Sequence, residues 1–142
     1  MKKLAIIASR YHLEISKSLV KNCLKTLKEK GVAESLVDIF WVPGALEIPL
    51  VAKKLAKKGK YNTIIVFGAV LKGKTYHFEQ VANECIRGCM NVSFKFELPV
   101  IFEVLCVYDL KDAIERAQGT SDNRGVEGAL TALKMIELIG KI

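Results

Sequence analysis

The sequence predicts an α/β fold, in which one open sheet of four parallel strands has helices packed on both faces. Three observations support this prediction. Short, mostly continuous apolar runs rich in valine and isoleucine recur along the chain, which is typical of parallel strands covered on both faces. Stretches with apolar residues at intervals of three and four lie between these runs, as in amphipathic helices. The two patterns alternate, and such alternation indicates a layered α/β domain.

The individual elements follow in the order βαβαβαβαα. The predicted strands are residues 4–8, 36–42, 63–71 and 100–107. The predicted helices lie around residues 19–27, 47–58, 78–90, 110–117 and 125–139. Pro49 stands in the first turn of the second helix, where the missing N–H group costs little. Right-handed crossovers then give a three-layer, flavodoxin-like open sheet whose ligand site lies at the carboxyl ends of the strands.

Length and composition indicate a single globular domain over residues 1–142. The chain is 51% hydrophobic and 26% charged, which lies far from the composition of disordered proteins. Its longest uncharged apolar run, residues 63–71, is about half of the roughly 20 residues that a membrane helix needs. The N-terminal apolar run is too short for a signal-peptide core, so we expect a cytoplasmic protein without a membrane partner.

The net charge of +7 suits nucleic acid, an anionic surface or a phosphorylated small molecule. One lysine-rich helix face lacks interleaved aromatic residues and is interpreted as solvated, so nucleic acid is not the expected partner. The lysines on this face are Lys53, Lys54, Lys57, Lys58 and Lys60.

The cysteines form no C-x-x-C motif and are interpreted as small core residues, so neither a metal nor a cofactor is expected. They are Cys23, Cys85, Cys89 and Cys106.

The segment from Gly68 to Thr75 matches the G-x-x-x-x-G-K-[ST] pattern of nucleotide phosphate loops. A phosphate cradle needs successive backbone N–H groups turned inward, whereas the sequence Ala-Val-Leu at residues 69–71 favours continuation of the strand. A nucleotide-hydrolysing domain is therefore a secondary interpretation. Gly73, Lys74 and Thr75 are expected to bind an anion in a simpler way, because they precede a helix N-terminus whose N–H groups and dipole attract phosphate.

Five further side chains have both a functional and a structural interpretation. His77 follows the anion-binding turn, where an imidazole is suited to proton transfer, although a lone histidine is often structural. Glu47 either accepts hydrogen bonds from a polyhydroxy ligand or stabilises a helix N-terminus. Tyr11 is a surface aromatic residue or a stacking platform for a flat ring. Arg116 and Arg124 are solvated unless the fold returns them to the pocket, where arginine clamps phosphate.

Four segments together resemble the lumazine synthase family in order and spacing. They are A-S-R-Y-H from Ala8, V-P-G-A-L-E-I-P from Val42, the stretch from Gly68 to Phe78, and A-I-E-R-A from Ala113. The resemblance covers almost the whole chain. It implies a cofactor-free transferase of riboflavin biosynthesis, which condenses 5-amino-6-(D-ribitylamino)uracil with 3,4-dihydroxy-2-butanone 4-phosphate. The product is 6,7-dimethyl-8-ribityllumazine, with release of phosphate and water.

The resemblance also implies residue roles. His77 would transfer protons, and Lys74, Thr75 and Arg116 would bind phosphate. Phe102 falls where a neighbouring subunit closes the pocket. The positions that would contact the rest of the substrates are Tyr11, Ala45, Leu46, Glu47, Ala69, Val70, Leu71, Phe102 and Arg124. Family members are pentamers, and in many cases twelve pentamers form an icosahedral shell. Association with riboflavin synthase is a further expectation.

The sequence departs from the family pattern at several of these positions. Tyr11 and His12 replace the commoner Phe or Trp and Asn, and Lys74 stands where a small residue is usual. Glu103 lies inside the last apolar strand, where the family tends to have a small or apolar residue. Residues 118–124 keep the usual length but differ from the form found in shell-forming members, so a pentamer is the expected assembly. A basic, flavodoxin-like binding module is the non-enzymatic interpretation.

Overall fold

A computed structural model describes residues 2–142, whose backbone forms four strands and five α-helices. The strands are β1 (Lys3–Ser9), β2 (Val37–Val42), β3 (Tyr61–Leu71) and β4 (Val100–Val107). The helices are α1 (Leu13–Glu29), α2 (Ile48–Lys57), α3 (His77–Phe96), α4 (Leu110–Gln118) and α5 (Arg124–Gly140). The short segments Glu34–Leu36 and Ala45–Glu47 form 3-10 turns. The predicted elements and their order are confirmed.

The four strands form one parallel sheet in the order β2-β1-β3-β4. Successive side chains of β1 point to opposite faces, so Leu4 and Ile6 join one core while Ala5 and Ile7 join the other. The first core is closed by α1, α4 and α5, and the second by α2 and α3. Residues of β1 from Leu4 onward are completely buried, which explains their continuous apolar character. The predicted three-layer, flavodoxin-like fold is confirmed.

The helices α1 and α5 approach each other closely at Gly125. A Cβ atom at this position would lie 2.4 Å from the Leu19 carbonyl oxygen and 3.0 Å from the Asn22 Cβ. Only glycine therefore allows this spacing without a backbone shift. The contact places the start of α5 beside the middle of α1. It therefore fixes the position of Arg124, which is the first residue of α5.

The carboxyl ends of all four strands lie at one edge of the sheet, because the strands are parallel. Strand β1 stands between β2 and β3, so the chain changes direction across the sheet after β2. Two backbone hydrogen bonds connect the loops at this edge, from the Arg10 N–H to the Val42 carbonyl (2.8 Å) and from the Lys72 N–H to the Val107 carbonyl (2.9 Å). Ligand sites of open α/β sheets lie at such a switch point.

One prediction about the core is wrong. Cys23, Cys85 and Cys89 are buried, but Cys106 is exposed. Cys106 belongs to β4, which has a strand neighbour on one side only, so a position near its end is not covered.

The five lysines of the predicted solvated face are exposed as expected. No helix within residues 2–142 has the length and apolarity needed to cross a membrane.

Candidate functional site

Tyr11 lies at the carboxyl edge directly after β1. Its backbone N–H donates to Ser9 Oγ at 3.2 Å, and His12 adopts the left-handed conformation that begins α1. The side chain of Tyr11 is 68% exposed, and its ring contacts the His12 imidazole edge-on with centroids 4.8 Å apart. One ring face can thus meet a flat ligand.

The turn after β2 presents Leu46 and Glu47. Ala45 is buried beneath the turn, whereas Leu46 and Glu47 are exposed. A Cβ atom at Gly44 would lie 3.0 Å from Glu47 Oε1, so the carboxylate folds back over this glycine. The glycine therefore provides the space that the carboxylate occupies. Glu47 ends the 3-10 turn and directly precedes α2.

Strand β3 continues through Ala69, Val70 and Leu71. Residues 69–71 pair with β4 and cannot wrap around an anion, which confirms the expected strand continuation and removes the main support for a nucleotide phosphate loop. Ala69 and Val70 are nearly buried at the strand end, and Leu71 is half-buried. Their backbone, rather than their side chains, is what this edge offers to a ligand.

The turn between β3 and α3 is exposed from Lys72 to His77. His77 is the first residue of α3, and its N–H group donates to Thr75 Oγ1 at 3.4 Å. Lys72 is paired with Glu79, and hydrogen bonding to Lys72 lowers the pKa of the Glu79 carboxyl. Lys74 makes no ion pair with any residue in the described part of the chain. An ammonium outside these ion pairs, a hydroxyl and a helix N-terminus therefore belong to one exposed turn, a combination suited to anion binding.

A second surface is a pocket of about 310 Å³, here called the β4 pocket. It is lined by Phe102, Glu103, Val104, Leu105, Cys106, Val107, Arg116, Asp122 and Arg124. Consecutive residues of β4 point to opposite sheet faces, so a pocket that includes six of them in a row follows the open edge of this strand. Phe102 is half-buried and forms part of the apolar lining.

Four charged side chains meet in the β4 pocket. Arg124 makes a bidentate pair with Glu103, from Nε to Oε2 at 2.8 Å and from Nη2 to Oε1 at 3.0 Å. Its Nη1 donates to Asp122 Oδ1 at 3.0 Å. Arg116 Nη1 donates to the Asp112 carbonyl at 3.0 Å, and its nearest carboxylate oxygens lie 3.8 and 3.9 Å away. Arg124 thus makes three hydrogen bonds to carboxylates, whereas Arg116 has only loose contacts to them.

Burial affects the Glu103 carboxyl more than its partner does. Its side chain is 9% exposed, and burial raises the pKa of Glu103 although pairing with Arg124 opposes the shift. The pKa of Arg124 is raised chiefly by its hydrogen bonds to Glu103. A buried carboxylate that keeps a bidentate partner is favourable only while the partner stays in place.

Asn123 fixes the turn that presents both arginines. Its Oδ1 accepts from the N–H groups of Gly125 and Val126 at 3.0 and 3.1 Å and so caps α5. Its Nδ2 donates to the carbonyls of Ala117 and Gly119 at the end of α4. With all these bonds made by a buried side chain, the turn is held rigidly between the two helices.

The predicted site residues therefore fall on two surfaces of one protomer. Phe102, Arg116 and Arg124 share the β4 pocket, so the fold does return both arginines to a pocket. The other predicted residues stand at the strand ends and the turn before α3, and none of them lines this pocket. They are Tyr11, Ala45, Leu46, Glu47, Ala69, Val70, Leu71, Lys74, Thr75 and His77. The predicted phosphate ligands are divided, with Arg116 on one surface and Lys74 and Thr75 on the other.

Two residues of the β4 pocket, Glu103 and Asp122, received no role from the sequence pattern. The sequence gives one signal for Glu103, which is the presence of a glutamate within an apolar strand. Residues 2–142 contain no group of three or more histidine, cysteine or acidic side chains placed to hold a metal ion.

The fold and these two surfaces define a flavodoxin-like α/β protein whose strand ends and arginine-containing pocket are suited to a phosphorylated small molecule. A comparison with protein families makes this class specific. The family model described as 6,7-dimethyl-8-ribityllumazine synthase matches residues 1–140 of the 142-residue chain. The chain belongs to this family and is a transferase of riboflavin biosynthesis.

Proposed function

We propose that the chain condenses 5-amino-6-(D-ribitylamino)uracil with 3,4-dihydroxy-2-butanone 4-phosphate to form 6,7-dimethyl-8-ribityllumazine. The observation that most supports this proposal is the family match over residues 1–140. In the same region of the fold, the imidazole of His77 follows directly after an exposed anion-binding turn. A phosphorylated ketone bound by Lys74 and Thr75 would therefore hold its reacting carbons near an imidazole, which can act as a general acid or base.

The chemistry needs little more than this arrangement. The primary amine attacks the ketone carbonyl and forms a Schiff base with loss of one water. Removal of a proton from the neighbouring carbon then expels phosphate and leaves an enol, which takes up a proton and becomes a carbonyl. The second amine attacks this carbonyl and closes the ring with loss of a second water. His77 serves as proton donor and acceptor for these steps. Most of the rate enhancement comes from holding two flexible molecules in attack geometry, which is a large effect in intramolecular reactions.

We propose that one complete site combines both surfaces described above, each from a different protomer. The carboxyl edge of one protomer supplies His77 and the pyrimidine contacts, and the β4 pocket of the next supplies Phe102, Arg116 and Arg124. Support comes from the division of the predicted residues between the two surfaces and from the open edge of β4, which a neighbour can cover. A closed ring is the simplest assembly with such unlike contacts, and we propose a pentamer.

Further details of the proposal concern larger assemblies and location. A shell of twelve pentamers and association with riboflavin synthase are extensions of the proposal, and native mass measurement distinguishes them from a single ring.

We propose a cytoplasmic location, in agreement with the free thiols of Cys23, Cys85, Cys89 and Cys106, since extracellular proteins more often pair their cysteines.

The direct test is an assay of the purified protein with both substrates, followed by fluorescence and mass detection of the product. Lumazine formation without added metal or nucleotide is expected. Omitting either substrate is the control, since lumazine requires both. Failure to form the product with both substrates, in a preparation with intact secondary structure, would contradict the proposed function.

A further inference from the structure

The Glu103 side chain occupies a place that the fold keeps open for it. It points from β4 toward α5, where a Cβ atom at Gly128 would lie 3.2 Å from Glu103 Cγ and 3.3 Å from the Phe67 ring. Gly128 thus leaves room for the methylene stem. The carboxylate therefore lies on the α5 side of the pocket, and both of its oxygens accept hydrogen bonds from Arg124.

The pair changes what Arg124 offers to a ligand. Of the five N–H groups of its guanidinium, two donate to Glu103 and one to Asp122. Its positive charge is balanced by the buried carboxylate, only 9% exposed, so little water screens the pair. Arg116 differs, because its carboxylate neighbours are no closer than 3.8 Å and its own side chain is 39% exposed.

We propose that Glu103 is a positioning and charge-balancing residue: it holds Arg124 against β4 and withdraws its charge from the pocket, so that Arg116 is the cation of the β4 pocket that binds the substrate phosphate. The inference rests on the proposed function, since it assigns the phosphate contact within that site. It also gives a physical reason for a glutamate in the middle of an apolar strand.

The consequence is that removing the carboxylate charge should strengthen phosphate binding. The variant Glu103→Gln keeps the shape of the side chain and one hydrogen bond to Arg124, but it releases the guanidinium charge toward the pocket. A unit charge at this range in a partly buried site changes the affinity for a dianion about 3- to 30-fold. Structural damage would instead weaken binding, so the direction of the change separates the two explanations.

The experiment measures the dissociation constant of inorganic phosphate by calorimetry on the intact assembly, for the wild type and for Glu103→Gln. The control Glu29→Gln removes the same charge at the exposed end of α1, at the opposite edge of the sheet, and should leave the constant unchanged. In the lumazine assay, the KM for the phosphorylated ketone should fall with Glu103→Gln, while the KM for the aminouracil stays constant.

Tighter phosphate binding by Glu103→Gln supports the inference, and unchanged or weaker binding by a folded Glu103→Gln protein overturns it. If that variant does not fold, the double variant Glu103→Gln/Arg124→Gln removes the pair as a whole. The phosphate constant should then change by less than about twofold, and a larger loss of phosphate binding overturns the inference. A wild type that makes no lumazine refutes the proposed function, whereas the phosphate constants still decide the role of Glu103.

Discussion

A site shared by two protomers makes a quantitative prediction for mixed assemblies. His77→Ala should slow lumazine formation about 10- to 1000-fold and leave some activity, because proximity remains. Arg116→Ala should lower kcat/KM about 10- to 100-fold through loss of the phosphate contact. In a ring assembled from equal amounts of both variants, a site is intact when its edge comes from an Arg116→Ala chain and its β4 pocket from a His77→Ala chain.

Each of these two conditions holds for half of the positions, so about one quarter of the sites regain both residues. The assay is lumazine formation per chain, measured on rings isolated through two different affinity tags on co-expressed variants. The expected activity is about a quarter of the wild type, well above the average of the two parent variants. No gain over that average would refute the assignment of His77 and Arg116 to different protomers.

A matched control uses two residues from the same surface. His77→Ala and Lys74→Ala both alter the turn before α3, so no mixed ring can bring an intact pair into one site. Mixing these two variants should give only the average of their separate activities. Recovery in this control would mean that the chains exchange the turn itself, and the interpretation of the first mixture would fail.

Two further predictions concern stability. Gly125→Ala should lower the free energy of unfolding by about 1–3 kcal/mol, because its Cβ would meet the Leu19 carbonyl oxygen at 2.4 Å. The control Gly140→Ala has open space around it and should change the free energy of unfolding by less than about 1 kcal/mol in either direction. Equal urea midpoints for the two variants would argue against a tight contact between α1 and α5 at Gly125. Hydrogen bonding to Lys3, and then to Tyr61, lowers the pKa of Asp38, so its stabilising effect is present above the ordinary carboxyl pKa and is lost as the pH falls through the lowered one. The stability difference between wild type and Asp38→Asn should therefore shrink from about pH 7 to about pH 3, and a constant difference would contradict this.

The sequence predicts the strands well because the sheet is covered on both faces, which leaves long apolar runs. It places the start of β3 two residues late, since Tyr61 and Asn62 do not look apolar. The Tyr61 hydroxyl donates to Asp38 on β2 at 2.7 Å, a contact between distant segments that no local pattern reveals. Cys106 is misplaced for a related reason, because apolar periodicity does not show that β4 lies at the edge of the sheet.

The candidate site also contains some residues that the sequence can predict and others that it cannot. Residues at strand ends, such as Tyr11, Glu47 and His77, can be predicted because parallel strands bring their ends to one edge. The pairing of Glu103 with Arg124 spans 21 residues of sequence and depends on the docking of α5 against β4. It also needs a glycine at position 128 to admit the stem of the glutamate, a requirement that becomes visible only in three dimensions.

The departures from the family pattern are related through charge. Glu103 and Asp122 bring two carboxylates to the two arginines of the β4 pocket, so its lining is electrically balanced and offers a phosphate dianion little net attraction. Lys74 adds an ammonium without an ion-pair partner in the described structure, on the turn that is proposed to face the same phosphate. Because a dianion needs compensating charge from the site as a whole, an added cation on one surface offsets added anions on the other. In the proposed shared site, the glutamate and the lysine therefore act as a single adjustment of charge, one on each of the two surfaces.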